Sequence, residues 1–347
     1  MDAYARMENE TSLDLFVTIE GGEEKHSRGR EMKVHHRCYK TLDGRTKKLV
    51  SSVGDGSIIK RFEKTPIPSN PTDVVCPHFL ELKWATGCPY ACAWCYLQGT
   101  FRFLEYKTKP KPKEYSRVQE HLQAFFDGRS GEAELLNSGE LADSLMTEES
   151  SNPFSRFIMD LFKIQTRHKV LFLTKSTSID ELMLIGNKSQ AVISFSINAI
   201  PVAKKWEKAP TVEERVRAAG LLADAGYEVR LRLDPMVPVD GWRNAYLETL
   251  ELVFETLTPS RITLGSLRGL QSTINNARDK SWVTYLEEKS NWGRKIGINT
   301  RTDMYRFVIE RLNTEFGYRD VALCKETVEV WNRLGLDHSK IRCNCIW

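Results

Sequence analysis

The stretch Gly87-Cys88-Pro89-Tyr90-Ala91-Cys92-Ala93-Trp94-Cys95-Tyr96 follows the apolar run Phe79–Trp84 and places three thiols within eight residues. Cys88, Cys92 and Cys95 have the spacing C-x3-C-x2-C, so a single loop can bring three thiolates to three corners of an iron–sulfur cubane. The fourth iron then has no protein ligand and is open for chemistry, whereas a cluster that only carries electrons normally has four cysteine ligands. The stretch therefore predicts a catalytic iron–sulfur loop.

Two other roles for these cysteines are open. A zinc site needs four ligands, usually as two close pairs, and no Cys or His pair lies near enough in sequence to complete this set. Three structural cysteines could also arise by chance in a chain that has eight. The order of strand, loop and aromatic residue favours the cluster over both.

The same spacing is the hallmark of the radical S-adenosylmethionine (SAM) enzymes, and the chain resembles them. In that superfamily the open iron of a four-iron, four-sulfur (4Fe-4S) cluster binds the amino and carboxylate groups of SAM, and an electron cleaves SAM to a 5'-deoxyadenosyl radical. Trp94 matches the superfamily's preference for a bulky residue where the backbone meets the adenine. The resemblance implies a 4Fe-4S cluster, SAM, and an electron donor such as flavodoxin or ferredoxin.

Composition places the chain among ordinary globular proteins. It has 347 residues, of which 41% are hydrophobic, enough for a sizeable core. No run of about 18 uncharged apolar residues exists, and residues 1 to 10 are polar and acidic, so we expect a cytoplasmic protein without a membrane partner. Eight cysteines, three of them in metal spacing, favour a reducing compartment over a disulfide framework. The formal charge of +4 does not by itself call for nucleic acid.

Basic residues are concentrated in two segments. Residues 24 to 64 contain twelve Lys or Arg against five Asp or Glu, and the run from Arg102 to Arg117 adds four alternating lysines. Binding of a polyanion such as DNA or RNA and a merely solvated face are both consistent with this pattern.

Short apolar runs alternate with helical segments after residue 79, which is typical of a parallel sheet with crossover helices. We predict α/β architecture, a partial (β/α)6 TIM barrel over residues 76 to 270, with an N-terminal extension and linker (1–75) and a C-terminal cap (271–347). The capping box that begins at Thr211 predicts a helix over residues 212 to 225. The candidate strands are Phe79–Trp84, Ala133–Leu136, Val170–Thr174, Ala191–Ile197, Glu228–Leu233 and Ile262–Leu267.

Several segments resemble the spore photoproduct lyase family in the same order along the chain. They are residues 85–98 around the cysteine loop, Phe195-Ser196-Ile197-Asn198-Ala199, Ala225-Gly226-Tyr227, Gly241-Trp242, and Asn291-Trp292-Gly293-Arg294 with Ile296-Gly297. The resemblance implies a partial (β/α)6 barrel with one 4Fe-4S cluster. The lyase itself repairs a thymine dimer in DNA by hydrogen abstraction.

The resemblance also implies roles for single residues. Ser138, Gly139 and Glu140 look like the superfamily element that holds the SAM amino group, although a turn with a satisfied acid is the simpler interpretation. Lys175, Ser196 and Asn198 match family positions that contact SAM, although polar residues also end strands for solubility alone.

Two features depart from the family. The lyase carries a hydrogen-donating cysteine in the segment after its second strand, and this chain has Ser138-Gly139-Glu140 there. Tyr96 matches a tyrosine implicated in relaying that hydrogen, or it simply packs. Arg294 matches an arginine of the substrate-contacting loop, but Lys295 replaces the aromatic residue that follows it in the family.

The predicted fifth strand alternates Arg230, Arg232 and Asp234 with apolar residues, so one of its faces is charged. In a barrel that face should point into the lumen, where Arg232 is a candidate cofactor ligand; an exposed edge strand is the alternative.

Three thiols near the carboxyl end have no counterpart in the resemblance. Cys324, Cys343 and Cys345 are candidates for a second cluster, for replacement hydrogen donors, or for packing alone.

These observations predict a radical SAM enzyme that abstracts hydrogen from a nucleic-acid base or nucleotide, in DNA repair or modification. The rivals are an iron–sulfur electron-transfer or nucleic-acid-binding module without radical catalysis, and radical SAM modification of another substrate.

Overall fold

The computed structural model describes residues 32 to 128 and 131 to 347, and its strands belong to one large sheet and three small ones. The strands are β1 (Val34–Lys40), β2 (Thr46–Val53), β3 (Ile59–Arg61), β4 (Val74–Val75), β5 (Leu80–Leu82), β6 (Ala85–Thr86), β7 (Lys111–Pro112), β8 (Leu135–Asn137), β9 (Lys169–Thr174), β10 (Ala191–Ile197), β11 (Glu228–Met236), β12 (Arg261–Ser266), β13 (Arg268–Gly269), β14 (Glu288–Ser290), β15 (Gly293–Lys295), β16 (Val321–Leu323) and β17 (Glu326–Thr327).

Helices connect most of the strands of the large sheet. They are α1 (Leu97–Thr100), α2 (Tyr115–Asp127), α3 (Phe154–Phe162), α4 (Asp180–Leu184), α5 (Ile200–Trp206), α6 (Val212–Asp224), α7 (Trp242–Thr256), α8 (Gln271–Asn276), α9 (Ile298–Phe316) and α10 (Val328–Arg333), with 3-10 turns at Ser281–Tyr285 and His338–Lys340. No helix among the described residues is long and apolar enough to cross a membrane.

The large sheet has the order β1-β2-β3-β5-β8-β9-β10-β11-β12-β16. From β5 to β16 each neighbouring pair is parallel, which gives seven parallel strands wrapped by helices. All seven residues of β10, at the centre, are buried, as expected for a parallel strand covered on both faces. All six predicted strands are present, and the predicted partial barrel is confirmed.

The predicted helix after the fourth barrel strand is also confirmed. The Thr211 side chain accepts a hydrogen bond from the Glu214 backbone, and the Glu214 carboxylate accepts one from the Thr211 backbone, so the capping box closes in both directions. The helix is α6, and Gly226 follows its end in the left-handed conformation that suits glycine.

Strands from both flanking regions extend the barrel sheet. Strands β1 to β3 form an antiparallel meander, and β3 pairs with β5 through Ile59–Leu82 and Arg61–Leu80. On the other side β16, from the predicted cap, pairs with β12 as a seventh parallel strand. Weak periodicity concealed the strands of the meander although they are neighbours along the chain, whereas the partner of β16 lies more than 50 residues before it. The part of the basic segment that precedes Met32 lies outside the described residues.

The last six residues enter the barrel between its central strands. The Asn344 side chain donates to the Ser194 hydroxyl (2.9 Å) and the Leu231 carbonyl (2.8 Å), and accepts from the Thr263 hydroxyl (2.8 Å). Arg230 donates to the main-chain carbonyls of Asn344 and Ile346, and Arg261 donates to those of Cys343 and Ile346. We call residues 342–347 the inserted tail.

Candidate active site

The cysteine loop depends on two left-handed residues and on main-chain contacts. Gly87 has φ 87°, and a Cβ there would collide with the Lys109 carbonyl, so only glycine fits. Ala91 has φ 42°, which lets the chain turn between the first two cysteines. The Cys88 amide donates to the Thr108 carbonyl (2.8 Å), and the Ala93 amide donates to the Trp206 carbonyl (2.9 Å). The loop is therefore held by the segments on both sides of it.

Cys88, Cys92 and Cys95 are free thiols, and all three line a cavity of about 310 Å³ where the parallel strands end. That volume falls in the usual range of small-molecule sites. Burial raises the pKa of Cys92 to about 12 and raises the pKa of the other two thiols as well. Buried thiols of this kind become ligands when a metal replaces their protons.

The cavity gathers most of the predicted cofactor residues from separate strands. Its walls include Trp94, Tyr96, Gly139, Glu140, Lys175, Ser196 and Arg232. These residues lie close together because parallel strands place their carboxyl ends at one edge of the sheet.

Glu140 lies between the cysteine loop and the second barrel strand. Its carboxylate accepts from the Asn137 side chain (3.1 Å), and its carbonyl accepts from the Tyr96 hydroxyl. Burial raises the pKa of Tyr96 far above its usual value, and the Glu140 charge acts in the same direction, so this hydroxyl keeps its proton. A Cβ on Gly139 would collide with Leu173 on β9. The backbone can approach that strand so closely only because residue 139 is a glycine.

Lys175 is fixed by two acids. Its ammonium lies 3.2 Å from the Glu207 carboxylate, which also pairs with Arg215 at 2.8 Å. Its backbone amide donates to Asp143 (2.8 Å), which also accepts from Thr174. Both cations outweigh the burial of Glu207 and lower its pKa, so this acid remains charged.

Three of the predicted site residues do not line the cavity. The Ser138 hydroxyl donates to the Leu171 carbonyl (2.8 Å). The Asn198 side chain donates to the Pro235 carbonyl and accepts from the Ala199 amide and the Tyr246 hydroxyl. Arg294 lies on β15 and donates to the Leu286 carbonyl. The Ser138 hydroxyl and the Asn198 amide therefore already have protein partners, and the Arg294 guanidinium has one.

The charged face of β11 points into the lumen, which confirms the expectation from its alternating sequence. Arg232 and Asp234 line the cavity, and Arg268 binds the Asp234 carboxylate through two 2.8 Å hydrogen bonds. This guanidinium outweighs the burial of Asp234 and lowers its pKa to about 2.

One wall of the cavity is aromatic and was not predicted. Phe62 stacks on Phe79 with ring centres 5.0 Å apart, and Trp292 meets Phe62 edge-on at 5.8 Å. The Lys325 ammonium lies 4.6 Å from the Phe62 ring and 4.3 Å from the Trp292 ring. Trp292 lies in a family-like segment, which was the available signal; the phenylalanines carry none.

Four further thiols line the same cavity: Cys76, Cys324, Cys343 and Cys345. A hydrogen bond from the Cys343 thiol, with Arg232 beside it, lowers the pKa of Cys345. Burial raises the pKa of Cys76 to about 12, and the nearby Cys324 and Cys345 act in the same direction. Cys76 looks isolated in the sequence because the thiols near it in the fold are more than 240 residues away along the chain.

The donor set suits a thiolate-bound cluster and a polar ligand. Two buried polar atoms in the cavity wall, Arg232 Nε and Thr273 Oγ1, have no hydrogen-bond partner among the residues that the structure describes. Within residues 32–128 and 131–347, no three His, Cys, Asp or Glu side chains are gathered around a single metal ion. In a cubane each thiolate binds a different iron, so its ligands are spaced more widely than those of one ion.

Comparison with known proteins agrees with this geometry. The family model described as spore photoproduct lyase matches residues 79 to 266. The spore photoproduct lyase of Bacillus subtilis is 28% identical over 174 residues, 49% of this chain and 49% of the relative. That of Clostridium acetobutylicum is 23% identical over 185 residues, 51% and 52% of the two chains. The chain thus spans about half the length of the curated relatives it matches.

Solved structures show the same fold. A spore photoproduct lyase complexed with dinucleoside spore photoproduct has a TM-score of 0.60 and 18% identity, covering 71% of this chain and 76% of that chain. An open parallel barrel with a three-cysteine loop where its strands end defines the class, a partial TIM barrel of the radical SAM type. Within that class, the chain belongs to the spore photoproduct lyase family.

Proposed function

We propose that this chain is a radical SAM enzyme that acts on a nucleic-acid base or nucleotide. The observation that carries the proposal is the shared cavity, which the three loop thiols line together with Glu140, Lys175 and Arg232. A 4Fe-4S cluster with SAM would supply reductive cleavage of SAM to a 5'-deoxyadenosyl radical. A flavodoxin or ferredoxin would supply the electron.

The protein's own part is to bind, orient and exclude water. Cys88, Cys92 and Cys95 would hold the cluster as thiolates, while Gly139 and Glu140 present a backbone and a carboxylate for the SAM amino group. Lys175 is held in position because its ammonium pairs with Glu207 and its backbone amide donates to Asp143. Contacts of this kind between the site residues and their neighbours keep the reacting groups in place, which is a large part of catalysis.

The aromatic wall supports a nucleobase as substrate. Trp292 offers an aromatic ring for stacking, and the Lys325 ammonium, which lies over the Trp292 and Phe62 rings, offers a charge for phosphate. Related lyase structures contain dinucleoside spore photoproduct, which makes that compound the first substrate to test. This chain has no cysteine at Ser138-Gly139-Glu140, so its hydrogen donor differs from that of the family.

The first experiment is anaerobic reconstitution with iron and sulfide, followed by a SAM-cleavage assay. The wild type should release 5'-deoxyadenosine, and Cys92→Ala should release none because two ligands cannot hold a cluster with one open iron. Cys38→Ala is the matched control, since Cys38 is exposed on β1. Unchanged 5'-deoxyadenosine from Cys92→Ala would refute the assignment, and cluster without cleavage in the wild type would favour an electron-transfer module.

The second experiment tests the substrate class by binding of dinucleoside spore photoproduct and of single-stranded DNA. Trp292→Ala should weaken binding about tenfold, as expected for one lost stacking contact. Phe307→Ala, outside the cavity on α9, is the control. DNA binding should also weaken steeply with salt, because the basic side chains displace counterions from the DNA phosphates when they bind. Binding that ignores both Trp292 and salt would favour a substrate other than nucleic acid.

A further inference from the structure

The proposed function leaves four buried or half-buried thiols unused. Cys76 follows β4, Cys324 follows β16, and Cys343 and Cys345 belong to the inserted tail. All four line the cavity that holds the loop cysteines. Of the eight cysteines, Cys38 alone is exposed and away from this cavity. Three distant parts of the chain therefore bring four thiols to one wall.

The four thiols lie near one another. The Cys343 thiol hydrogen-bonds to that of Cys345, and Cys76 shares a small buried apolar cluster with both. Ala322 belongs to that cluster and lies on β16, two residues before Cys324. Cys76 also interacts electrostatically with Cys324 and Cys345.

The tail that carries two of these thiols is held in place before any ligand binds. Asn344, between the two cysteines, is fully buried and bonded to three neighbouring strands. Arg261 donates to the Cys343 carbonyl at 2.9 Å, and Arg230 donates to the Asn344 carbonyl at 2.9 Å. A ligand set fixed in this way loses little entropy when it binds.

Positive charge surrounds the sulfur atoms. The Arg232 guanidinium lies 2.9 Å from Cys345 Sγ, and that of Arg268 lies 3.5 Å from Cys324 Sγ. Arg232 is only 8% exposed, and within residues 32–128 and 131–347 its Nε has no hydrogen-bond partner. A buried guanidinium group of this kind is stabilised by a nearby anion. Thiolates and inorganic sulfide are anions that can accept its hydrogen bonds.

We propose that Cys76, Cys324, Cys343 and Cys345 bind a second iron–sulfur cluster, closed by four cysteine ligands. A hydrogen donor requires one thiol at the substrate, whereas this wall supplies four, the number that closes a cubane. On binding, the thiols release their protons to solvent and are not oxidised. With no open iron, this cluster would carry electrons and would not bind SAM. The inference adds a site to the proposed function and does not depend on the substrate.

The test is metal content after anaerobic reconstitution, measured as iron, sulfide and zinc per chain. The wild type and Cys38→Ala should hold about eight irons, and Cys343→Ala with Cys345→Ala about four. The reverse variant, with all three loop cysteines changed to Ala, should also keep about four and should lose the effect of SAM on its electron paramagnetic resonance spectrum. It reports on the second site even if the tail variant folds poorly.

The outcomes separate the two sites. A wild type with about four irons, all lost in the loop variant, would overturn the second cluster and leave the first intact. One zinc per chain that disappears with the tail cysteines would also overturn it, as would a Cys343–Cys345 disulfide found by mass spectrometry in the reconstituted protein. A loop variant with about four irons and a wild type with the same number would instead contradict the first cluster.

Discussion

Replacing Asn344 with Ala tests whether the inserted tail is an integral part of the barrel. The substitution removes three side-chain hydrogen bonds, to Ser194, Leu231 and Thr263, all in buried surroundings. At about 1 kcal/mol for each bond, the free energy of unfolding should fall by about 3 kcal/mol. That is a large part of the stability of a typical domain, because the free energy of unfolding of native proteins is only about 5–15 kcal/mol.

The assay is urea denaturation followed by circular dichroism, with Asn313→Ala as the matched control. Asn313 is exposed on α9 and bonds only to Arg319 at the surface, so its loss should cost less than about 0.5 kcal/mol. Equal denaturation midpoints for Asn344→Ala and Asn313→Ala would refute the reasoning, because the tail would then contribute nothing to the cooperative unit. Iron content in the same samples shows whether the tail thiols need this anchor.

Three further predictions concern single residues. Burial lowers the pKa of His168 to about 4, and its Nδ1 accepts from the Glu134 backbone, so the unfolded chain takes up a proton at higher pH than the folded chain does. The free energy of unfolding should hold above about pH 6.5 and fall by about 3 kcal/mol towards pH 4, a slope that urea titrations of His168→Asn should lack. Gly87→Ala should lose bound iron and more than about 3 kcal/mol of stability, while Gly44→Ala, with similar positive φ and open space, should cost only about 1 kcal/mol of backbone strain; equal effects in thermal melts would contradict the collision at Gly87. Glu207→Gln should leave Lys175 without its full charge partner and raise the Kd for SAM about tenfold in equilibrium dialysis, with exposed Glu213→Gln as control; unchanged affinity would remove Lys175 from the SAM site.

Local signals in the sequence were sufficient for the barrel and for the cysteine loop. The six strands have short apolar runs that need no knowledge of their partners, and the capping box at Thr211 is complete within four residues. The spacing of the three loop cysteines is likewise local. These features were predictable because each is determined by neighbours along the chain.

Features that depend on distant partners were not predictable. Asn344 is an ordinary polar residue until it meets three strands at least 80 residues away. Cys76 shares its buried cluster with Cys343 and Cys345, which lie more than 260 residues further along the chain, and the Asn198 side chain is hydrogen-bonded to Pro235 and Tyr246. A pattern of residue types records which groups can bind, but the fold decides which of them are already occupied.

The inserted tail also orders the assembly of the protein in time. Its residues are synthesised after every strand that surrounds Asn344, and chains fold in that direction as they leave the ribosome. The strands can therefore pair while the place of Asn344 is still empty, and the three hydrogen bonds of its side chain can then form against a sheet that already exists.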